Sequence, residues 1–333
     1  MPKQQINCRF VNVFELIDNA PVRIPWMVMR GEKPGPSVVL NAAIHGEEVV
    51  GTAVIHRIFR EVRLVRGTLY AIPAANMQGL SQGFRFVPLG ETTKWGNLNR
   101  EFPGDPSGDP AERIAWAIYH KISSIRPAPT VVVDLHADAP ESLAYILLDR
   151  FIRRANKSLA SRTKALAENF GITVCNDDTL KEYSADDGER TLTGALYNFA
   201  HIPAFVAELG GPNVVYKKFE DLGVMGVKNI LNALGMLKNF WEPRVDESKI
   251  TTKYILRTYA LAAGERSGFA SYEVKLGDEV LKGERIATIA DIFGKVKRVV
   301  RSPRHGFVIS LGYATVTQPG AILAMLAVRD QNP

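Results

Sequence analysis

Histidine and glutamate meet in the stretch Asn41-Ala42-Ala43-Ile44-His45-Gly46-Glu47-Glu48, where an apolar run ends in an imidazole and a carboxylate follows three residues later. Zinc accepts imidazole nitrogen and carboxylate oxygen, and a catalytic zinc site needs three protein ligands with one position left open for water. His45 and Glu48 are candidates for two of them. The third need only converge in space. His136 fits, because it follows the apolar run 130–135 (TVVVDL) and leaves the carboxyl end of a strand, with Asp134 two residues back on the same face, placed to orient a ligand. Standing alone, each segment has a plainer reading, a solvated turn at His45 and a polar strand end at His136.

Two further stretches carry functional groups. Residues 97–104 (NLNREFPG) are too polar and too rich in turn formers for a core. Adjacent amide and guanidinium groups at Asn99 and Arg100 suit a substrate carboxylate, since arginine grips both oxygens with a planar fork. Arg85 is a second guanidinium in the same long loop, 76–109, for which no regular structure is expected; the alternative is an ordinary surface loop. Glu208 sits inside the apolar run 205–209 before two glycines. An ionised carboxylate there is costly to bury unless paired or used, and its use would be as a general base that takes a proton from water and passes it to a leaving nitrogen.

The elements that must position these groups follow from periodicity. Residues 38–43 have the length and branching of a buried strand, and Val49, Val50, Val54, Ile55, Ile58 and Phe59 recur at helix-like spacing, so 45–48 becomes the strand-to-helix turn. That turn lies at the carboxyl end of a strand, where open α/β sheets bind ligands. Residues 21–29 are expected to pair beside the strand at Val38. Further strands are expected at 67–73, 130–135, 145–148, 172–175 and 204–207, with helices at 109–125, 154–170, 191–200 and 220–240. From about Ile250 the helical period disappears and short glycine-punctuated β runs take over. The division expected is an α/β catalytic domain over 1–248 and a small all-β domain over 249–333.

Composition narrows the class. A chain of 333 residues with 46% hydrophobic and 23% charged residues is of ordinary globular make-up. The net charge of +6 has its densest basic stretch at 294–304, without interleaved aromatics, which reads as a solvated face and not as a nucleic-acid patch, while its sign is compatible with anionic substrates. Cys8 and Cys175 are the only cysteines, so neither a disulfide framework nor a Cys-type zinc site is expected. No signal-like N-terminus and no run of about 18 apolar residues occurs, so a cytoplasmic protein without membrane or nucleic-acid partners is expected, with a homo-oligomer left open. His56, His120, His201 and His305 have no partner at ligand spacing and are read as structural.

Together, His45-Gly46-x-Glu48, Asn99-Arg100-x-Phe102-Pro103-Gly104, Asp134-Leu135-His136 and Glu208-Leu209-Gly210-Gly211 occur in the order seen in the succinylglutamate desuccinylase/aspartoacylase family of the zinc carboxypeptidase clan, which the sequence resembles over nearly its whole length. The resemblance implies a phosphorylase/hydrolase-like α/β core with a mixed central sheet and a C-terminal β domain. It implies one zinc per chain on His45, Glu48 and His136, with Glu208 as base, Asn99 and Arg100 as carboxylate clamp, and Arg85 as stabiliser of the carbonyl oxygen. The inserted residues 87–96 bear on whether Arg85 reaches the site, and Tyr272 and Tyr313 are both candidates for the tyrosine bordering it. Glu47 stands where many relatives have asparagine. The activity implied is a zinc-dependent deacylase, an amidohydrolase that removes a small acyl group from an N-acyl amino acid or a related carboxylate-bearing amide. A zinc carboxypeptidase with a longer, open cleft is the alternative. A different class of answer is a carrier module, since 268–326 resembles the barrel-sandwich hybrid of lipoyl and biotinyl domains, with Lys295 at the matching hairpin tip.

Overall fold

Three neighbouring parallel strands explain where the chemistry sits. The computed structural model describes residues 4–88, 96–152, 156–239, 241–313 and 316–331. After an antiparallel hairpin, β1 (Ile6–Glu15) and β2 (Pro21–Arg30), come β3 (Lys33–Ala42), α1 (Val50–Glu61) and β4 (Arg66–Ile72). The loop beyond holds a short helix α2 (Met77–Gln82) and a single 3-10 turn at Leu98–Arg100. Then follow α3 (Pro110–Ser123), β5 (Val131–His136), β6 (Glu141–Ser142), β7 (Ala144–Leu148), α4 (Lys157–Phe170) and β8 (Thr173–Asn176). Two short helices, α5 (Leu180–Ala185) and α6 (Leu192–Asn198), lead to β9 (Ala204–Leu209) and α7 (Lys217–Ala233).

At the centre of the sheet β4, β3, β5 and β9 run parallel in that order, and β7 joins β9 antiparallel. Side chains alternate between faces along a strand, so each strand feeds two cores. Val38, Leu40 and Ala42 of β3, Val131, Val133 and Leu135 of β5, and Phe205, Ala207 and Leu209 of β9 pack with α1, α4 and α7. Val39, Val132 and Ala204 point the other way, toward α3 and α6. On this second face the apolar alternation stops near the carboxyl ends, where Asn41, Asp134, His136 and Glu208 take the places that the pattern would give to apolar residues. The opposite face stays dry to the strand ends. Gly51 of α1 lets the helix lie directly on Leu135 and Ala42, since an added Cβ would come within 2.7 Å of Leu135. Truncating a side chain as enclosed as Leu135 costs about 2–5 kcal/mol.

Helix α3 begins as its sequence demands, with Asp109 and Glu112 closing a capping box around Pro110. Two expectations are corrected. Residues 21–29 do not pair beside the strand at Val38, because β4 lies between β2 and β3; an edge hairpin is placed by long-range pairing that local pattern cannot report. The 76–109 loop is also more regular than expected, carrying α2 and the 3-10 turn, while its residues 89–95 lie outside the described residues.

The C-terminal region is all β: β10 (Leu256–Ala262), β11 (Gly268–Tyr272), β12 (Glu279–Val280), β13 (Arg285–Ala290), β14 (Val296–Arg301), β15 (Gly306–Leu311), β16 (Val316–Thr317) and β17 (Ile322–Arg329). One sheet, in the order β14-β13-β11-β16, stands apart. The other strands extend the main sheet, because β10 pairs parallel with β8 and passes the ladder on to β17, β15 and β12. Residues of both sheets meet in one apolar core, including Ile286 and Ile289 from β13 and Leu323 and Leu326 from β17. Lys295 lies in the exposed turn between β13 and β14, where its backbone N–H donates to Asp291. No helix among the described residues is long and apolar enough to cross a membrane.

Cys8 is exposed on β1, whereas Cys175 is enclosed in β8, where burial pushes its thiol up to about 12. The thiolate is the reactive form. A thiol-specific reagent should therefore titrate one cysteine per native chain at neutral pH and the second only after denaturation; rapid native reaction of both would contradict this packing.

Candidate metal centre

Strand β3 ends at Ala42, and Ala43 takes a left-handed conformation with φ of 50°. Such a conformation is uncommon for a residue with a side chain and is held here by burial and by backbone bonds from Ala75 and Asn76 to the carbonyls of Ala42 and Ala43, both 2.9 Å. The turn that follows carries His45 and Glu48 into a buried position ahead of α1. Gly46 sits where a Cβ would lie 2.0 Å from the Gly79 backbone. Only glycine lets α2 press against this turn, and that contact brings the segment after α2 alongside, with the Gly46 N–H donating to the Arg85 carbonyl at 3.3 Å.

His45, Glu48 and His136 converge, with their candidate ligand atoms all within 4.8 Å of one another. His45 Nδ1 lies 2.6 Å from Glu48 Oε1, and His136 Nδ1 lies 2.7 Å from Glu48 Oε2. The far nitrogens are also engaged. His45 Nε2 is 3.1 Å from Asn97 Oδ1, and His136 Nε2 is 3.0 Å from Asp134 Oδ2, whose other oxygen accepts from Asn41 Nδ2 at 2.7 Å. Both outer partners are acceptors, so each Nε2 carries a proton that it donates outward. In neutral rings this leaves both Nδ1 lone pairs facing a carboxylate. Three buried acceptors pointed at one another repel unless a proton or a metal ion lies between them, and two imidazoles with one carboxylate form a donor set that zinc accepts in catalytic sites. The residues present therefore fit a divalent metal.

Electrostatics around the cluster follow from burial. Burial alone would raise the Glu48 carboxyl, but the two imidazoles outweigh it and hold it well below the usual range. Glu208 stands beside His136 across the β5–β9 ladder. Burial, reinforced by Asp138 and Glu48 and opposed by His136, raises its carboxyl well above the usual range. Its Oε2 has no hydrogen-bond partner. Arg85 Nη1 reaches Glu48 at 2.9 Å and Glu47 at 3.3 Å. The inserted segment does not carry Arg85 away, because its two ends are tied by Val87 N to Gly96 O at 2.9 Å.

These groups line one cavity of about 570 Å³, with Asn99 and Arg100 on its wall. Asn99 is anchored, since its Oδ1 accepts from the Leu192 N–H at the start of α6 at 2.9 Å. Of the two tyrosines, Tyr313 lines the cavity and donates to Asp138, while Tyr272 donates to the Leu323 carbonyl at 3.0 Å and packs on the C-terminal core. Asp138 also accepts from Tyr145 at 2.9 Å. The four other histidines stay outside the cavity; His305, for example, pairs with Glu279 at 2.7 Å.

Several groups in or beside the cavity carry no sequence signal. Asn97 lies in a polar loop where any asparagine looks ordinary, and Asp138, Asp149 and Asp177 come from strand ends far apart in the chain. Burial, with Asp177 alongside, pushes the Asp149 carboxyl up to about 7. The cavity is acidic: among the described residues, carboxyl side chains lining it outnumber guanidinium groups. The +6 chain charge does not describe this cavity, whose lining carries more carboxyl than guanidinium groups.

Comparison with known proteins adds a lineage to this geometry. Residues 34–234 match the family model described as succinylglutamate desuccinylase/aspartoacylase catalytic domain. The N-alpha-acetyl-L-2,4-diaminobutyric acid deacetylase of Halomonas elongata is 26% identical over 318 residues, covering 92% of this chain and 86% of its own length. A succinylglutamate desuccinylase from a Silicibacter species superposes with a TM-score of 0.78 at 21% identity, covering 99% of this chain and 97% of that one. A metallo-carboxypeptidase from Burkholderia cenocepacia shares the fold more distantly, with a TM-score of 0.54 at 16% identity over 70% of this chain and 65% of its own.

Partners that orient metal-binding imidazoles typically contribute 10- to 100-fold in metal affinity. Asp134→Asn and Asn97→Ala should each weaken zinc binding by about that factor in competition with a chromophoric chelator, whereas His305→Ala should not. Unchanged affinity in both of the first two variants would contradict the tautomer assignment.

Proposed function

The chain belongs to the succinylglutamate desuccinylase/aspartoacylase family, and on that premise we propose that it is a zinc-dependent deacylase that hydrolyses the amide of an N-acyl amino acid. The observation that carries the reading is the buried convergence of His45, Glu48 and His136 beside a glutamate, Glu208, whose Oε2 is unpartnered in the same cavity. Likeness to a curated deacetylase of an N-acetylated amino acid over most of both chains supports it.

In this reading His45, Glu48 and His136 hold the metal. Zinc, when bound, polarises the amide carbonyl and acidifies the attacking water. Glu208 takes the proton that water must lose, and its raised carboxyl range suits a group that has to give the proton up again. The water oxygen bonds to the acyl carbon, the carbon–nitrogen bond breaks, and Glu208 passes the proton to the departing nitrogen. The products are a carboxylate and a free amine. Arg85 stabilises negative charge developing on the carbonyl oxygen from its position beside Glu48. Asn99 and Arg100 hold the carboxylate of the amino acid at the cavity wall, with Asn99 fixed by Leu192.

The carboxypeptidase alternative needs an open cleft that admits a polypeptide. Tyr313 and Ile322 of the C-terminal β region line the cavity, and Tyr313 is tied to Asp138 across it. That closure favours small substrates.

Glu208→Gln keeps the shape and removes the base. With zinc loaded, it should retain metal at the wild-type stoichiometry and lose about 10²- to 10⁴-fold in kcat for N-acetyl amino acids, the contribution expected of a general acid–base. Wild-type turnover in this variant would remove Glu208 from the mechanism.

A further inference from the structure

We propose that a second cavity, on the opposite face of β7 and β8 from the catalytic one, binds a small organic anion, a carboxylate or phosphate monoester head carried on a short apolar body. Its residues take no part in the hydrolase reading, so the two stand or fall separately.

Alternation along two paired strands separates the cavities. Leu147 of β7 lines the catalytic cavity, whereas Leu148 lines the second one together with its β8 partner Asn176 and with Val174. Helix α4 supplies one wall through Lys164 and Glu168, and the chain over 249–255 supplies the other before it enters β10. That stretch is irregular but tied down. The Ile250 N–H donates to Thr173 Oγ1 at 2.9 Å, and the Ile255 carbonyl accepts from the Asp330 N–H at 2.8 Å. Between the walls lies a space of about 470 Å³, within the range of sites that take small molecules.

The chemistry of the lining selects the ligand. Leu148 and Leu256, both buried, and the half-buried Val174 make an apolar floor. Around it stand three ammonium groups, Lys164, Lys249 and Lys253, against a single carboxyl, Glu168. Lys164 shares that carboxyl at 3.9 Å. Lys249 and Lys253 join no ion pair among the described residues. An anionic head that meets them gains charge-assisted hydrogen bonds, and an apolar body behind the head covers the floor. Lysine is a compact charge with rotatable donors, which suits carboxylate and phosphate oxygens alike and does not impose the planar fork of arginine. Neither a bare inorganic anion nor a neutral apolar molecule uses both parts of such a site.

The test uses the full chain loaded with zinc and four probes in calorimetry: hexanoate, hexyl phosphate, inorganic phosphate and hexanol. Hexanoate or hexyl phosphate should bind about 10- to 100-fold more tightly than hexanol, which lacks the charge, and more tightly than inorganic phosphate, which lacks the body. The tighter of the two tells a carboxylate site from a phosphate-ester site. The double variant Lys249→Ala, Lys253→Ala should lose the advantage over hexanol, with its fold checked by circular dichroism, and Arg100→Ala in the catalytic cavity should keep it. In the wild-type protein the tighter probe should slow amide hydrogen exchange in peptides that cover 249–256. The proposal is overturned if neither hexyl anion binds, if both bind no more tightly than hexanol or inorganic phosphate, or if the advantage survives in the lysine double variant. Slowed exchange confined to the segment around Arg100 also overturns it, and that measurement decides the matter even if the double variant fails to fold.

Discussion

Three acceptors that face one another in a buried space set the terms for the rest of this molecule. Asn97 and Asp134 each claim the outer proton of an imidazole, which turns both Nδ1 lone pairs onto Glu48. No apolar packing relieves that repulsion; a shared proton or a metal ion does. The surroundings are built to hold the arrangement in place. Asn41 fixes the free oxygen of Asp134, the Ala137 N–H donates to Glu48 Oε2 at 3.1 Å, and Gly46 allows α2 to brace the turn.

The sheet determines which residues can take part. His45 and Glu48 follow β3, His136 ends β5 and Glu208 lies near the end of β9, three adjacent strands that point the same way. The face toward α1, α4 and α7 remains apolar to the end, so the polar substitutions on the other face do not weaken the main core. The C-terminal region then closes the site by continuing the same sheet through β10 and β17, which brings Tyr313 over Asp138.

Local signals carried much of this. The strand-to-helix turn at His45, the apolar run before His136 and the carboxylate within the β9 run are each visible within a few residues, because one element's periodicity and one break in it suffice. What stayed hidden depends on pairing at long range. Whether Arg85 reached Glu48 turned on the tie between Val87 and Gly96, and the choice of Tyr313 over Tyr272 turned on which group each hydroxyl reaches, Asp138 for Tyr313 and the Leu323 carbonyl for Tyr272. The Asp149 end of the cavity is assembled from β7, β8, α5 and α6, none of which shows a motif. Net charge is silent on the cavity for the same reason, since it averages over the whole chain while the cavity lining is rich in carboxyl groups.

The central claim is that His45, Glu48 and His136 together hold one metal ion, and metal content measures it most directly. Elemental analysis of protein equilibrated with zinc and then desalted should find about one zinc per chain, and much less in His45→Ala and in His136→Ala while circular dichroism shows the fold retained. Wild-type protein that holds no zinc after such loading, or variants that hold as much as wild type, would contradict the account.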